Sequence, residues 1–121
     1  MNQESIIQSS LLQKQAQEIE ENLMLIERQI QGMLELKDSL NHLSNSNEKE
    51  ILSNLGHGIH MKTNLITKEL FVEVGSGVVV KKQIPEVLEI LEVQVRSLLE
   101  AKNHLQSQLE ICHSTLQQFS S

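Results

Sequence analysis

The last third of the chain repeats apolar residues at alternating intervals of four and three, over five heptads. A repeat that averages 3.5 residues is typical of a coiled coil, because it keeps one narrow stripe facing a partner helix. One helix cannot bury such a stripe by itself, so the chain needs a second helix to pack against. The stripe, in which Lys102 is the only charged member, is formed by Ile84, Leu88, Leu91, Val95, Leu98, Lys102, Leu105, Leu109, Cys112, Leu116 and Phe119.

A second stripe of the same spacing lies near the start of the chain and predicts a helix over residues 4–45. Its members are Leu12, Ala16, Ile19, Leu23, Ile26, Ile30 and Met33, followed after a shortened step by Leu36, Leu40 and Leu43. The shortened step predicts local overwinding of the coil. Pro85 fits the first position of a C-terminal helix over residues 85–119, where its missing N–H is not needed.

The segment between the helices, residues 50–83, holds four of the five glycines of the chain. Gly56-His57-Gly58 and Gly75-Ser76-Gly77 each separate two short β-branched or alternating runs, which predicts two consecutive β-hairpins. A sheet this small is not stable alone and leaves its edges open, so we expect the module to pair with another chain. The expected subunit interface is formed by Ile59, Met61, Leu70, Val72, Val74, Val78 and Val80.

Two long helices joined through a compact β module are expected to run antiparallel, over roughly 60 Å and 52 Å at 1.5 Å per residue. The fold class is then mostly α with a small β module, in one domain over residues 1–121. Both chain termini meet at one end of the coiled coil, which we call the tip. Its apolar residues are either an exposed interaction patch or ordinary seam residues. They are Ile6, Ile7, Leu11, Leu12, Cys112, Leu116 and Phe119.

Composition excludes several classes of function. The net charge of −6 and the scattered basic residues argue against nucleic acid as a partner. Aromatic residues make up only 2% of the chain, and neither a phosphate-binding loop nor a nucleophile elbow occurs, so we expect no enzyme and no cofactor. His57 and His60 flank a turn but lack a third metal ligand. With no signal peptide and no long apolar run, we expect a cytoplasmic protein without a membrane partner.

Two segments of the β module carry a resemblance to a known family. The run Val72-Glu73-Val74-Gly75-Ser76-Gly77-Val78-Val79-Val80-Lys81-Lys82 resembles the second hairpin of archaeal-type prefoldin α subunits. The run Leu55-Gly56-His57-Gly58-Ile59-His60-Met61 resembles the first hairpin turn of the same family. The resemblance extends over the whole order of helix, two hairpins and helix, and the second hairpin separates the α type from the β type.

This resemblance implies a co-chaperone made of two α and four β subunits, in which the α hairpins help to build a central β structure. The coiled-coil tips would hold unfolded polypeptide clients and pass them to a group II chaperonin, without use of ATP. Two other readings of the residues stay open. One is a structural or adaptor coiled coil that binds a specific folded partner, and the other is a prefoldin-like subunit of a different complex.

Overall fold

The computed structural model describes residues 3–120, which form two long helices with two β-hairpins between them. The elements are α1 Gln3–Asn45, β1 Glu50–Gly56, β2 Ile59–Asn64, β3 Leu70–Gly75, β4 Val78–Lys82 and α2 Ile84–Ser120. The predicted fold class is therefore confirmed. The chain divides into two compact units: one contains residues up to Leu34 and from Val93 onward, and the other contains Glu35–Glu92.

The first unit is an antiparallel two-helix coiled coil. Glu20 pairs with His113 and Glu27 pairs with Lys102, so sequence numbers rise on one helix as they fall on the other. Its core cluster contains Ala16, Ile19, Leu23 and Cys112, with Leu12, Leu105 and Leu109 packed against them. Each position of the C-terminal repeat, Lys102 included, is buried or half-buried. The heptad spacing of α2 therefore predicts its packed face along the whole helix.

The stripe on α1 differs from the sequence prediction after Met33. Leu36 is exposed, whereas Lys37 is half-buried, so the packed face keeps its regular heptad spacing to Leu40. The prediction of a shortened step with overwinding at Leu36 is therefore wrong. Lys37 can occupy a seam position because its aliphatic stem packs while its ammonium group reaches the Glu92 carboxylate at 3.4 Å. Lys102 does the same in the other unit, at 3.7 Å from Glu27.

Gly32 lies in the interior of α1, and a Cβ atom built on it would meet nothing within 4 Å. Glycine in a helix interior is less favourable than alanine by about 1 kcal/mol, because it has more backbone freedom to lose. We therefore expect Gly32→Ala to raise the free energy of unfolding by about 1 kcal/mol in urea denaturation followed by circular dichroism. Ser39→Ala, on the exposed surface of the same helix, is the control, and a loss of stability in Gly32→Ala would contradict the expectation.

The two hairpins are separate two-stranded antiparallel sheets with the same design. His57-Gly58 and Ser76-Gly77 are the two central turn residues, and all four have positive φ, as a type I′ turn requires. Just before each turn the register shifts by one residue, which leaves Leu55 and Val74 without a cross-strand partner. The sequence predicts the turns, while the two bulges appear only in the structure.

The start of α2 differs slightly from its prediction. The backbone N–H of Val87 donates to the carbonyl of Gln83 at 3.2 Å, so the helix begins at Ile84 and Pro85 takes its second position. The first four N–H groups of a helix have no partner within the helix, so proline is tolerated here for the predicted reason.

Candidate interaction surfaces

The hairpins carry most of the exposed apolar side chains in the second unit. Of the seven predicted interface residues, Leu70 and Val72 are half-buried, and the other five, Ile59, Met61, Val74, Val78 and Val80, are exposed. We call the exposed apolar residues of the four strands the hairpin surface. An exposed apolar area of this extent is typical of an interaction site.

Sequence reasoning missed part of the hairpin surface, because it assigned only one face of the second hairpin to contacts. Leu70 and Val72 pair with Lys82 and Val80, while Phe71 and Glu73, which alternate with them, pair with Lys81 and Val79. Phe71 and Val79 are both exposed, as are Leu52 and Leu55 on the first hairpin. The Lys81 ammonium group lies 5.8 Å from the centre of the Phe71 ring. Apolar residues therefore lie on both faces.

The partly buried face of the first hairpin carries a polar contact. The hydroxyl oxygens of Ser53 and Thr63 lie 2.6 Å apart, and Thr63 also lies 3.4 Å from the carbonyl of Ile51. Within β1, the Asn54 side chain accepts a hydrogen bond of 2.8 Å from the N–H of Gly56 at the bulge. The contact between Ser53 and Thr63 helps to fix the register of the two strands, and the Asn54 bond supports the bulge.

The loop between the hairpins, residues 65–69, is tied to the end of α1. The Lys68 ammonium group donates to the carbonyls of Ser46 and Ser44, at 2.8 Å and 3.4 Å. The N–H of Leu65 donates to the carbonyl of Lys49. Between these attachments the Ile66 side chain is 97% exposed, the highest value among the exposed large apolar residues of the described chain. No sequence pattern assigns a role to this loop.

The tip residues fall into two groups in the structure. Ile6, Ile7 and Leu11 on α1 are each more than half exposed. Leu12, Leu116 and Phe119 are half-buried, as expected for the last turns of a coiled coil. Ile7 and Leu11 lie four residues apart and so share one face of α1, with Ile6 beside it.

Cys112 is placed differently from the other tip residues. It is only 5% exposed, and its thiol donates to the carbonyl of Leu12 at 3.8 Å, so it packs in the seam and does not face outward. Its neighbour Ile111, which the sequence analysis did not single out, is exposed. The two contribute to a shallow groove of about 180 Å³ beside the seam, lined by Leu12, Gln15, Ile19, Gln108, Ile111, Cys112 and Thr115.

Charge is distributed unevenly between the elements. Residues 46–83 carry five lysines and four glutamates, whereas the two helices carry the remaining twelve acidic and five basic residues. The helix surfaces therefore account for the acidity of the chain. Partly exposed cross-helix ion pairs such as Lys102 with Glu27, 3.7 Å apart, stabilise a coil by no more than about 1 kcal/mol each.

Within residues 3–120, no group of three or more His, Cys, Asp or Glu residues could hold a metal ion. Among the same residues, no helix is long and apolar enough to cross a membrane. Exposed apolar side chains make the hairpin surface, the loop over residues 65–69 and the tip candidates for function.

Comparison with known proteins gives consistent matches. The family model described as Prefoldin subunit matches residues 12–121. Prefoldin subunit alpha of Archaeoglobus fulgidus is 28% identical over 112 residues, which cover 89% of this chain and 80% of that protein. Prefoldin subunit alpha 1 of Thermococcus kodakarensis is 33% identical over 96 residues, which cover 78% of this chain and 66% of the relative.

The fold also matches a solved structure, filamentous PFD from Methanocaldococcus jannaschii, determined by cryo-EM. The TM-score is 0.78 at 15% identity, and the match covers 98% of this chain and 96% of that chain. At this identity the likeness concerns the fold alone, and it extends over both helices and both hairpins.

Proposed function

Since the chain belongs to the prefoldin subunit family, as an α-type member, we propose that it captures non-native polypeptides at its tip and passes them to a group II chaperonin. Capture needs no ATP, because it consists of reversible burial of apolar surface. In this proposal the protein acts in the cytoplasm, as part of a hexamer with one further copy of itself and four β-type subunits.

The exposed tip residues carry this proposal. Ile6, Ile7 and Leu11 present three exposed aliphatic side chains within six residues, near the start of α1. Full burial of one such side chain contributes about 1.5–3 kcal/mol, and a partial contact with an unfolded chain contributes less. A single tip therefore binds weakly, and several tips that hold one client at once give useful affinity through avidity.

The hairpin surface supports the assembly part of the proposal. Its exposed apolar residues include Ile59, Met61, Val74, Val78 and Val80, and an isolated two-stranded sheet is only marginally stable in water. Contact with the strands of neighbouring subunits would bury these residues and pair the open edges. In this view Leu70 and Val72 are the part of the interface that the chain already covers by itself.

The test of the tip replaces its exposed residues without shortening the helices. The triple variant Ile6→Ser, Ile7→Ser, Leu11→Ser is assembled into the complex and compared with the wild-type complex. We expect the concentration of complex that halves the aggregation of guanidinium-denatured rhodanese to rise about tenfold. Light scattering measures the aggregation, and native mass spectrometry verifies the assembly. The physical reason is the loss of apolar contact area at each α tip.

The matched control changes three exposed apolar residues on the sides of the same helices, Met24→Ser, Leu25→Ser and Leu99→Ser. This control should suppress aggregation as the wild type does. If the tip variant assembles fully and suppresses aggregation like the wild type, the assignment of the tip is wrong. If the wild-type complex itself does not suppress aggregation of the unfolded client, the hypothesis of an adaptor that binds one folded partner is favoured.

A further inference from the structure

The loop between the two hairpins is held unusually firmly for a connection of five residues. Lys68 reaches two backbone carbonyls at the end of α1, and Leu65 is bonded to Lys49 on the approach to β1. A fourth hydrogen bond, from the N–H of Glu69 to the Thr67 hydroxyl at 3.2 Å, stiffens the turn itself. The backbone of the loop is therefore fixed at both ends, and its conformation does not depend on the side chain of Ile66.

Ile66 is the residue that this fixed loop presents to solvent, with 97% of its side chain exposed. At this exposure it can contribute little to the packing of the residues that the structure describes. A β-branched side chain has few rotamers, so it loses little conformational entropy when a partner covers it. A rigid apolar side chain on a preorganised loop has the properties of an anchor residue in a protein–protein interface.

We propose that Ile66 is such an anchor, and that it inserts into an apolar pocket on a neighbouring β-type prefoldin subunit. This inference rests on the proposed function, because it presumes assembly through residues 50–83. The loop joins β2 directly to β3, so it is continuous along the chain with the hairpin surface on both sides. A folded subunit offers a pocket of fixed shape, which suits a single rigid side chain.

The chemistry of the loop favours a folded subunit over an unfolded client. Surfaces that bind many different sequences use flexible side chains that can repack, whereas this loop is fixed and presents a stiff residue. The charges beside it balance, with Glu48 and Glu69 against Lys49 and Lys68. The Lys68 ammonium group donates to two carbonyls, so two of its three N–H groups already have partners within the chain when Ile66 is covered.

Lys68 is then a positioning residue for Ile66. Its removal should loosen the loop and weaken assembly, while the hairpins keep their own cross-strand bonds. If Lys68 acts through Ile66, Lys68→Met should weaken association in the wild-type background but add little in an Ile66→Ala background. Lys68→Arg keeps a donor that can reach carbonyl oxygens and should restore part of the association.

The experiment measures association of the full-length chain with an archaeal β-type prefoldin subunit, by native mass spectrometry across a dilution series. We expect Ile66→Asp to weaken association about 30-fold, the effect of a strong anchor residue. Leu25→Asp, which places the same charge at an exposed apolar position on α1, is the control and should assemble normally. Because Ile66 is almost fully exposed, the circular dichroism spectrum of the isolated subunit should not change.

The outcomes separate the anchor from the proposed function. If the wild type assembles and Ile66→Asp assembles equally well, the anchor is wrong, whether or not client binding changes, and the tip proposal stands. Normal assembly with poorer suppression of rhodanese aggregation would assign Ile66 to the client instead. If the wild type forms no complex with the β-type subunit, the proposed assembly fails and the anchor fails with it. Weakened assembly with normal folding supports the anchor.

Discussion

Leu23→Ala should lower the free energy of unfolding of the coiled coil by about 2–3 kcal/mol. Leu23 is 8% exposed and belongs to the core cluster with Ala16, Ile19 and Cys112. Truncation removes apolar contacts and leaves a gap that a helix pair can only partly close. The expected loss lies at the low end of the usual range, because no side chain in the described residues is completely buried.

The adjacent residue supplies a matched control for this prediction. Met24 is a large apolar residue on the same helical turn, but it is 54% exposed. Met24→Ala should change the free energy of unfolding by less than about 0.5 kcal/mol. Urea denaturation followed at 222 nm measures both variants. Equal losses in the two variants would mean that Leu23 does not lie on the packed face of α1.

Gly75→Ala should destabilise the second hairpin by about 1–3 kcal/mol, although the change adds a single methyl group. Gly75 has a φ of +127°, a backbone conformation that side chains other than glycine rarely adopt. A Cβ atom built there would meet nothing within 4 Å, so the loss comes from backbone strain and not from a clash. Because an isolated hairpin is marginally stable, this loss is enough to open it for much of the time.

Amide hydrogen exchange of β3 and β4, read by mass spectrometry, measures the opening directly. The exchange of these strands should become faster in Gly75→Ala, and the first hairpin should keep its wild-type rate. Gly32→Ala is the control, since it makes the same chemical change in equally open space but at a helical φ. Unchanged protection of β3 and β4 in Gly75→Ala would show that the turn tolerates another backbone path.

The sequence predicts those features of the fold that arise from periodicity or from turn chemistry. Every residue of the stripe predicted on α2 is buried or half-buried, because heptad spacing leaves only one face of the helix to pack. The hairpin turns are correct because two glycines in three residues indicate positive φ. The error at Leu36 has a clear cause: an apolar residue was preferred to Lys37, although a long lysine stem can pack as well as a leucine when a carboxylate receives its charge.

The interaction surfaces were less accessible to sequence reasoning. Periodicity left the tip residues open between an exposed patch and ordinary seam residues, and the structure divides them: Ile6, Ile7 and Leu11 are exposed. Cys112 lies two turns before the end of α2 and is packed in the seam. Ile66 follows Leu65 in a five-residue loop that is otherwise polar, and no periodicity distinguishes it from its neighbour. Its setting depends on Lys68 bonding to carbonyls more than twenty residues away, which a local pattern does not show.

The two lysines in the seam have a consequence for how the helices find each other during folding. Leucine and isoleucine stripes are nearly self-similar, so a slip by one heptad still buries apolar surface against apolar surface. A slip in one direction would bring Lys37 opposite Leu99 and Lys102 opposite Leu34, so both lysines would lose their carboxylate partners. A slip in the other direction would bring Lys37 opposite Pro85, although Lys102 would then face Glu20. Lys37 therefore disfavours a slip in either direction, and Lys102 adds to the penalty in one of them, at a small loss of apolar surface in the seam.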